Sequence, residues 1–175
     1  MANVGNYCLA FDREKATESV KYITRVVGLV SKYDLAMLCF IAEMMHLQEF
    51  GRPIVNDRYV ALSGGTVCSG VFSIAFDAER QYIGGFGVCD SLIKSNGDVD
   101  LSLLSESDIS ALDWAINFSR SEFSWRSISQ TGEWQRAFEQ SLESNTLPFR
   151  LMDFKTCVLA LKHGESLWEH INKNK

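Results

Sequence analysis

The sequence predicts a mainly α (α+β) fold: a compact helical domain around a buried central helix, with a small β-hairpin or short antiparallel sheet. Three observations carry this. Leu35 to Ala42 is apolar without a break, Ser105-x-x-Asp108 opens a stretch of helically spaced apolar residues, and Asn96-Gly97 separates two short β-prone runs.

Taken in order, Val20, Ile23, Val27 and Val30 recur at helical spacing while Lys21, Arg25 and Lys32 fall on other faces. That predicts an amphipathic helix over about residues 16–31. The next helix is apolar on every face until Glu43, His46, Gln48 and Glu49, as a central buried helix is. Gly51 stops it by taking a left-handed conformation, and Pro53 forbids continuation. Arg58 to Leu62 reads as a short strand, Ser63-Gly64-Gly65 as a turn, and Val67 to Phe76 as a short helix.

Gly84-Gly85-Phe86-Gly87 matches no single element. Ser91 to Lys94 and Val99 to Leu101 form the arms of a hairpin turning at Asn96-Gly97, a pair that tolerates positive φ. Ser105 and Asp108 make a capping box for a helix of about four turns. Its faces carry Ile109, Leu112 and Ile116, and beside them Ala111, Ala115 and Phe118. Short helical pieces follow through Trp125 and around Trp134 to Leu142. After Pro148, residues from Phe154 to Ile171 keep one register across Gly164, which predicts a kinked final helix over 153–172. Neither a repeat nor a linker divides the chain, so residues 1–175 read as one domain.

Composition bounds the function. At 175 residues with 46% hydrophobic content, the chain builds a core without metals or disulfides. Cys8, Cys39, Cys68, Cys89 and Cys157 lack any C-x-x-C spacing and read as reduced thiols of a cytoplasmic protein. Tyr7 to Phe11 is too short for a secretory signal, and Leu35 to Ala42 is too short to span a membrane. Net charge is -5, and residues 61–122 hold three basic groups against nine acidic ones. Without a basic cluster to displace phosphate counterions, nucleic acid is a poor partner.

Candidate chemistry is sparse. Glu43, His46 and Glu49 lie three residues apart and offer one helix face to a metal, but one helix is not a site, and His163 and His170 lack a Glu three residues before them. The plainer reading of His46 is a partly exposed histidine at a helix end. Cys68 follows Gly64-Gly65 near a helix start, where amide dipoles lower a thiol pKa, so it is the best nucleophile candidate; a small packed thiol is the plainer reading. The glycines match neither a phosphate loop nor a dinucleotide fingerprint, and no cofactor is implied. Trp114, Trp125, Trp134 and Trp168 at helical positions read as core before they read as a recognition surface.

One stretch resembles a known family. Ile41-Ala42-Glu43-Met44-Met45-His46-Leu47, Gly51-Arg52-Pro53-Ile54, Tyr59-Val60-Ala61 and Gly64-Gly65-Thr66-Val67 are similar to the Panacea domain of SocA-like and GepA-like phage-associated proteins. Leu104 to Asp108, Ile128-Ser129-Gln130 and Trp134 extend the likeness, which covers about residues 17–140. Thr66 stands where the family has proline, and Gln130 where it commonly has histidine. The resemblance implies a largely α-helical fold and an antitoxin that binds and neutralises a toxin protein, in one family member as a proteolytic adaptor. His46, Gly51, Pro53, Gly64, Gly65 and Trp134 are motif positions of structural character and do not identify the contact surface. The expected partner is a cognate toxin protein, with a protease system as a further partner. The alternatives are a regulatory protein that binds a host factor and a small thiol or metal enzyme.

Overall fold

The computed structural model describes residues 10–121, Glu139 and 150–173. The expectations for Cys8, Trp125, Gln130, Trp134 and the helical pieces around them lie outside these residues. The architecture is mainly α with two small antiparallel sheets, and its core is organised around one helix.

Helix α1, Arg13–Val27, begins where the Asp12 carboxylate accepts the Lys15 amide at 3.0 Å. It ends four residues earlier than the apolar spacing predicts, because Gly28 takes φ 96° and its N–H closes on the Thr24 carbonyl. Val30 is still buried, but by strand β1, Val30–Ser31. Helix α2, Lys32–Phe50, starts at Ser31, whose hydroxyl accepts the Asp34 amide, and stops at Gly51 in the left-handed region (φ 70°). Every residue from Leu35 to Glu43 is buried, and α2 packs against α1.

Strand β2, Tyr59–Leu62, turns through Ser63-Gly64 into β3, Gly65–Cys68, with Tyr59 opposite Cys68 and Leu62 opposite Gly65. Val67 therefore lies in a strand, not in the helix expected from 67 to 76. Helix α3, Ser69–Glu79, begins two residues later. Thr66 is buried in β3, its hydroxyl 3.3 Å from the Met152 sulfur. Strand β6, Arg150–Leu151, completes the order β3-β2-β6.

The second sheet corrects the hairpin expectation. Strand β4, Phe86–Cys89, pairs with β5, Leu92–Ser95, and the turn is Asp90-Ser91, both left-handed (φ 49° and 63°), rather than Asn96-Gly97. Phe86 and Ile93 enter the core, and that burial selects the pairing. Val99 to Leu101 forms no strand, and Leu101–Leu103 is a single 3-10 turn.

Helix α4, Glu106–Ser121, has the expected reciprocal cap: the Ser105 hydroxyl accepts the Asp108 amide, and the Asp108 carboxylate accepts the Ser105 amide at 2.8 Å. Ala111, Leu112, Ala115 and Ile116 face inward. The final segment is two helices, not one kinked helix: α5, Phe154–Leu159, and α6, Gly164–Lys173, separated by a turn in which His163 takes φ 56°. Gly164 lets them meet, since a Cβ there would lie 2.6 Å from the Val158 carbonyl oxygen and 2.7 Å from Leu159 Cα. Val158 and Ile171 close a small second cluster over Leu47 of α2. Among the described residues, no helix is long and apolar enough to cross a membrane.

Candidate functional site

Three features gather on α2. The first is Glu43, which is 1% exposed; its carboxylate accepts the Ile54 and Val55 amides at 3.1 and 2.8 Å and the Tyr59 hydroxyl at 3.3 Å. Burial pushes its pKa up to about 7 against those three bonds. Beside it, the Asp57 carboxylate accepts the Gly70 and Val71 amides, both at 2.8 Å, and so caps α3 from a neighbouring loop, because Cys68 at that helix's own cap position supplies no side-chain bond.

The second feature is a polar cluster where α1, α2 and the start of α4 meet. His46 is fully buried, which corrects the partly exposed position expected for it. Its Nδ1 lies 2.7 Å from the Arg52 carbonyl, an acceptor only, so Nδ1 carries the proton and donates. Nε2 then faces the Ser107 hydroxyl at 3.0 Å and Asp108 Oδ1 at 3.3 Å. Burial lowers the His46 pKa, and the Arg52 and Lys15 cations lower it further, so the ring is neutral at pH 7. Asp108 is fully buried, with Lys15 Nζ at 2.6 Å and Arg52 Nη1 at 3.5 Å. Burial alone would raise its pKa, but the bonds from Lys15 and Ser105 outweigh it and hold the carboxyl below its usual range.

The third feature is an apolar cleft of about 370 Å³ between α2, α4 and α5. Met44, Met45 and Gln48 line one side, Trp114 another, and Cys157 and Leu161 the floor. Trp114 is 41% exposed and stacks on Phe118 at 5.2 Å, so it belongs to this surface and not to the core. Trp168 is half-buried against Phe154.

The residues singled out in the sequence are dispersed. Glu43 and His46 are engaged by separate groups and Glu49 is exposed, so the three do not converge; no metal-ligating group of three or more side chains occurs among the described residues. Cys68 is fully buried, and burial pushes its thiol up, with the Asp57 and Glu43 carboxylates adding to the shift. The dipole activation expected of it is therefore not realised. Gly51 lies against the His170 ring, Pro53 is buried, Gly64 is exposed, and Gly65 takes φ 132°. Lys15, Arg52, Asp57 and Ser107 carry no spacing signal that separates them from other polar residues. The Gly51-Arg52-Pro53 stop and the Ser105-x-x-Asp108 cap marked the neighbourhoods of Arg52 and Ser107.

No family model, curated protein or solved structure matches this chain.

Proposed function

We propose that the protein is an antitoxin-like binding protein of a phage, prophage or bacterial toxin-antitoxin setting, which acts in the cytoplasm and neutralises a toxin protein by direct contact. The observation that carries the reading is the cleft at Met44, Met45 and Trp114. Methionines adapt to varied apolar anchors, and a half-exposed tryptophan gives a large contact area, which suits a protein partner. The sequence resemblance to the Panacea domain supports the same reading. Further support comes from the buried ionisable groups: Glu43, Asp57 and Asp108 each hold backbone amides or a cation, which is the chemistry of a rigid scaffold.

The experiment is a pull-down of the tagged protein expressed with its natural flanking genes. A single stoichiometric neighbour whose expression alone stops growth, and which Met45→Glu fails to capture, supports the reading. Co-elution of a host protease subunit favours the proteolytic-adaptor form. Capture of a host factor with no toxic neighbour favours the regulatory alternative.

A further inference from the structure

The polar cluster contains a nucleophile and base pair that toxin binding does not use. Ser107 Oγ lies 3.0 Å from His46 Nε2, and His46 Nδ1 donates to the Arg52 carbonyl at 2.7 Å, which fixes both the ring and its tautomer. Arg52 Nη2 donates to Ser107 Oγ at 3.0 Å, and the Ser105 hydroxyl lies 3.0 Å from it on another side. Ser105 itself accepts from the Asp108 amide and Arg52, so its own proton goes to Ser107. Ser107 Oγ thus accepts from two neighbours, and its own proton points to Nε2.

We propose that Ser107 is an activated serine that takes an acyl group from an ester, with His46 as its general base. The hydroxyl oxygen attacks the ester carbonyl and its proton passes to His46 Nε2. The bond to the alcohol then breaks, and the alcohol leaves with that proton. Water attacks the acyl-serine, again giving a proton through Nε2, and releases the acid with Ser107 restored. While Nε2 holds the proton, Asp108 Oδ1 at 3.3 Å stabilises the imidazolium; Lys15 and Arg52, both bound to Asp108, keep that carboxylate ionised.

The developing oxyanion finds donors at the same place. Ser107 is the second residue of α4, and among the described residues the Glu106 and Ser107 amides donate to no acceptor, while the Arg52 guanidinium is half-exposed beside them. Ser107 is half-buried, and the Phe50 ring, 47% exposed, lies 4.8 Å from that of His46 beside the cluster. Buried His46 is neutral at pH 7 and therefore in its base form.

The test uses the intact protein with a fluorophosphonate probe and with p-nitrophenyl acetate. A single adduct on the Ser107 peptide, lost in a folded Ser107→Ala variant and retained in Ser110→Ala, an exposed serine of α4 outside the cluster, is the expected result. His46→Gln lowers the labelling rate by about 10²-fold or more. Should that variant fail to fold, the pH profile replaces it: labelling of the wild type rises through an ionisation below 6.5 and is flat above it. No adduct, an adduct elsewhere, ester hydrolysis unchanged in Ser107→Ala, or labelling that only climbs with hydroxide overturns the proposal. None of these outcomes bears on toxin capture, so the two readings fail separately.

Discussion

Glu43 Oε1 accepts the Val55 amide at 2.8 Å, so a carboxylate within the central buried helix holds the loop that follows that helix. The sequence Gly51-Arg52-Pro53-Ile54 reverses the chain, and Glu43 fixes where the reversed chain lies. The bond sets the position of Tyr59 and, through β2, of the first sheet.

This buried carboxyl gives a pH signature. Its folded pKa of about 7 stands above the ordinary 4.5, so the native state holds more protons between those values. Its contribution to stability is full below 4.5 and is lost as pH rises through 7, by on the order of 3 kcal/mol. His46, with a lowered pKa, acts in the opposite direction below 6.5. Urea titrations of wild type and Glu43→Gln across this range isolate the effect. The wild type should lose stability relative to the variant as pH rises.

Asp57 caps α3 from outside the helix. Asp57→Ala leaves the Gly70 and Val71 amides without their acceptor and should cost about 1–2 kcal/mol, read as a lowered urea midpoint. Cys68→Ser has no such cap bond to remove and should not reproduce that loss by the same route.

Lys15 and Asp108 form a largely buried ion pair at 2.6 Å. Lys15→Met leaves Asp108 with the longer Arg52 contact and should destabilise by about 3 kcal/mol. The loss should be full above the ordinary carboxylate value and shrink as pH falls below it, since the lowered Asp108 pKa contributes stability that disappears as the group protonates in acid. Thermal melts at pH 3 and pH 7 check the direction.

The glycines separate by geometry. Gly64→Ala meets nothing within 4 Å and should be nearly neutral, whereas Gly65→Ala is strained at φ 132°. Gly164→Ala drives a methyl into the Val158 and Leu159 backbone and should cost about 1–3 kcal/mol. Denaturation midpoints of the three variants test the ranking.

The cleft prediction concerns binding alone. Met45→Glu and Trp114→Ala should leave the melting curve close to that of the wild type, because both side chains are partly exposed. Both should weaken capture of the toxin partner in titrations, Trp114→Ala by about 2 kcal/mol or more.

Much of the helical frame is legible before folding. The unbroken run from Leu35, the stop at Gly51-Arg52-Pro53 and the Ser105/Asp108 cap are signals contained within a few residues, and each appears where expected. Apolar periodicity continues through Val30 past Gly28, so it does not mark where α1 ends. Asn96-Gly97 carries the local turn signal, but the turn at Asp90-Ser91 is the one that aligns Phe86 and Ile93 with the core.

The candidate site was barely legible. His46 could be seen but not its burial, and its partners come from α1, the Arg52 turn and the start of α4. The sequence by itself determined the fold class, the central helix and the places where helices start and stop, since these depend on local capping and on runs of apolar side chains. Only the tertiary structure decided which strand pairs with which, that Asp57 caps α3, and that Lys15, His46, Ser107 and Asp108 meet. Those contacts depend on which buried faces pack together, and burial is what converts ordinary polar residues into paired, proton-tuned groups.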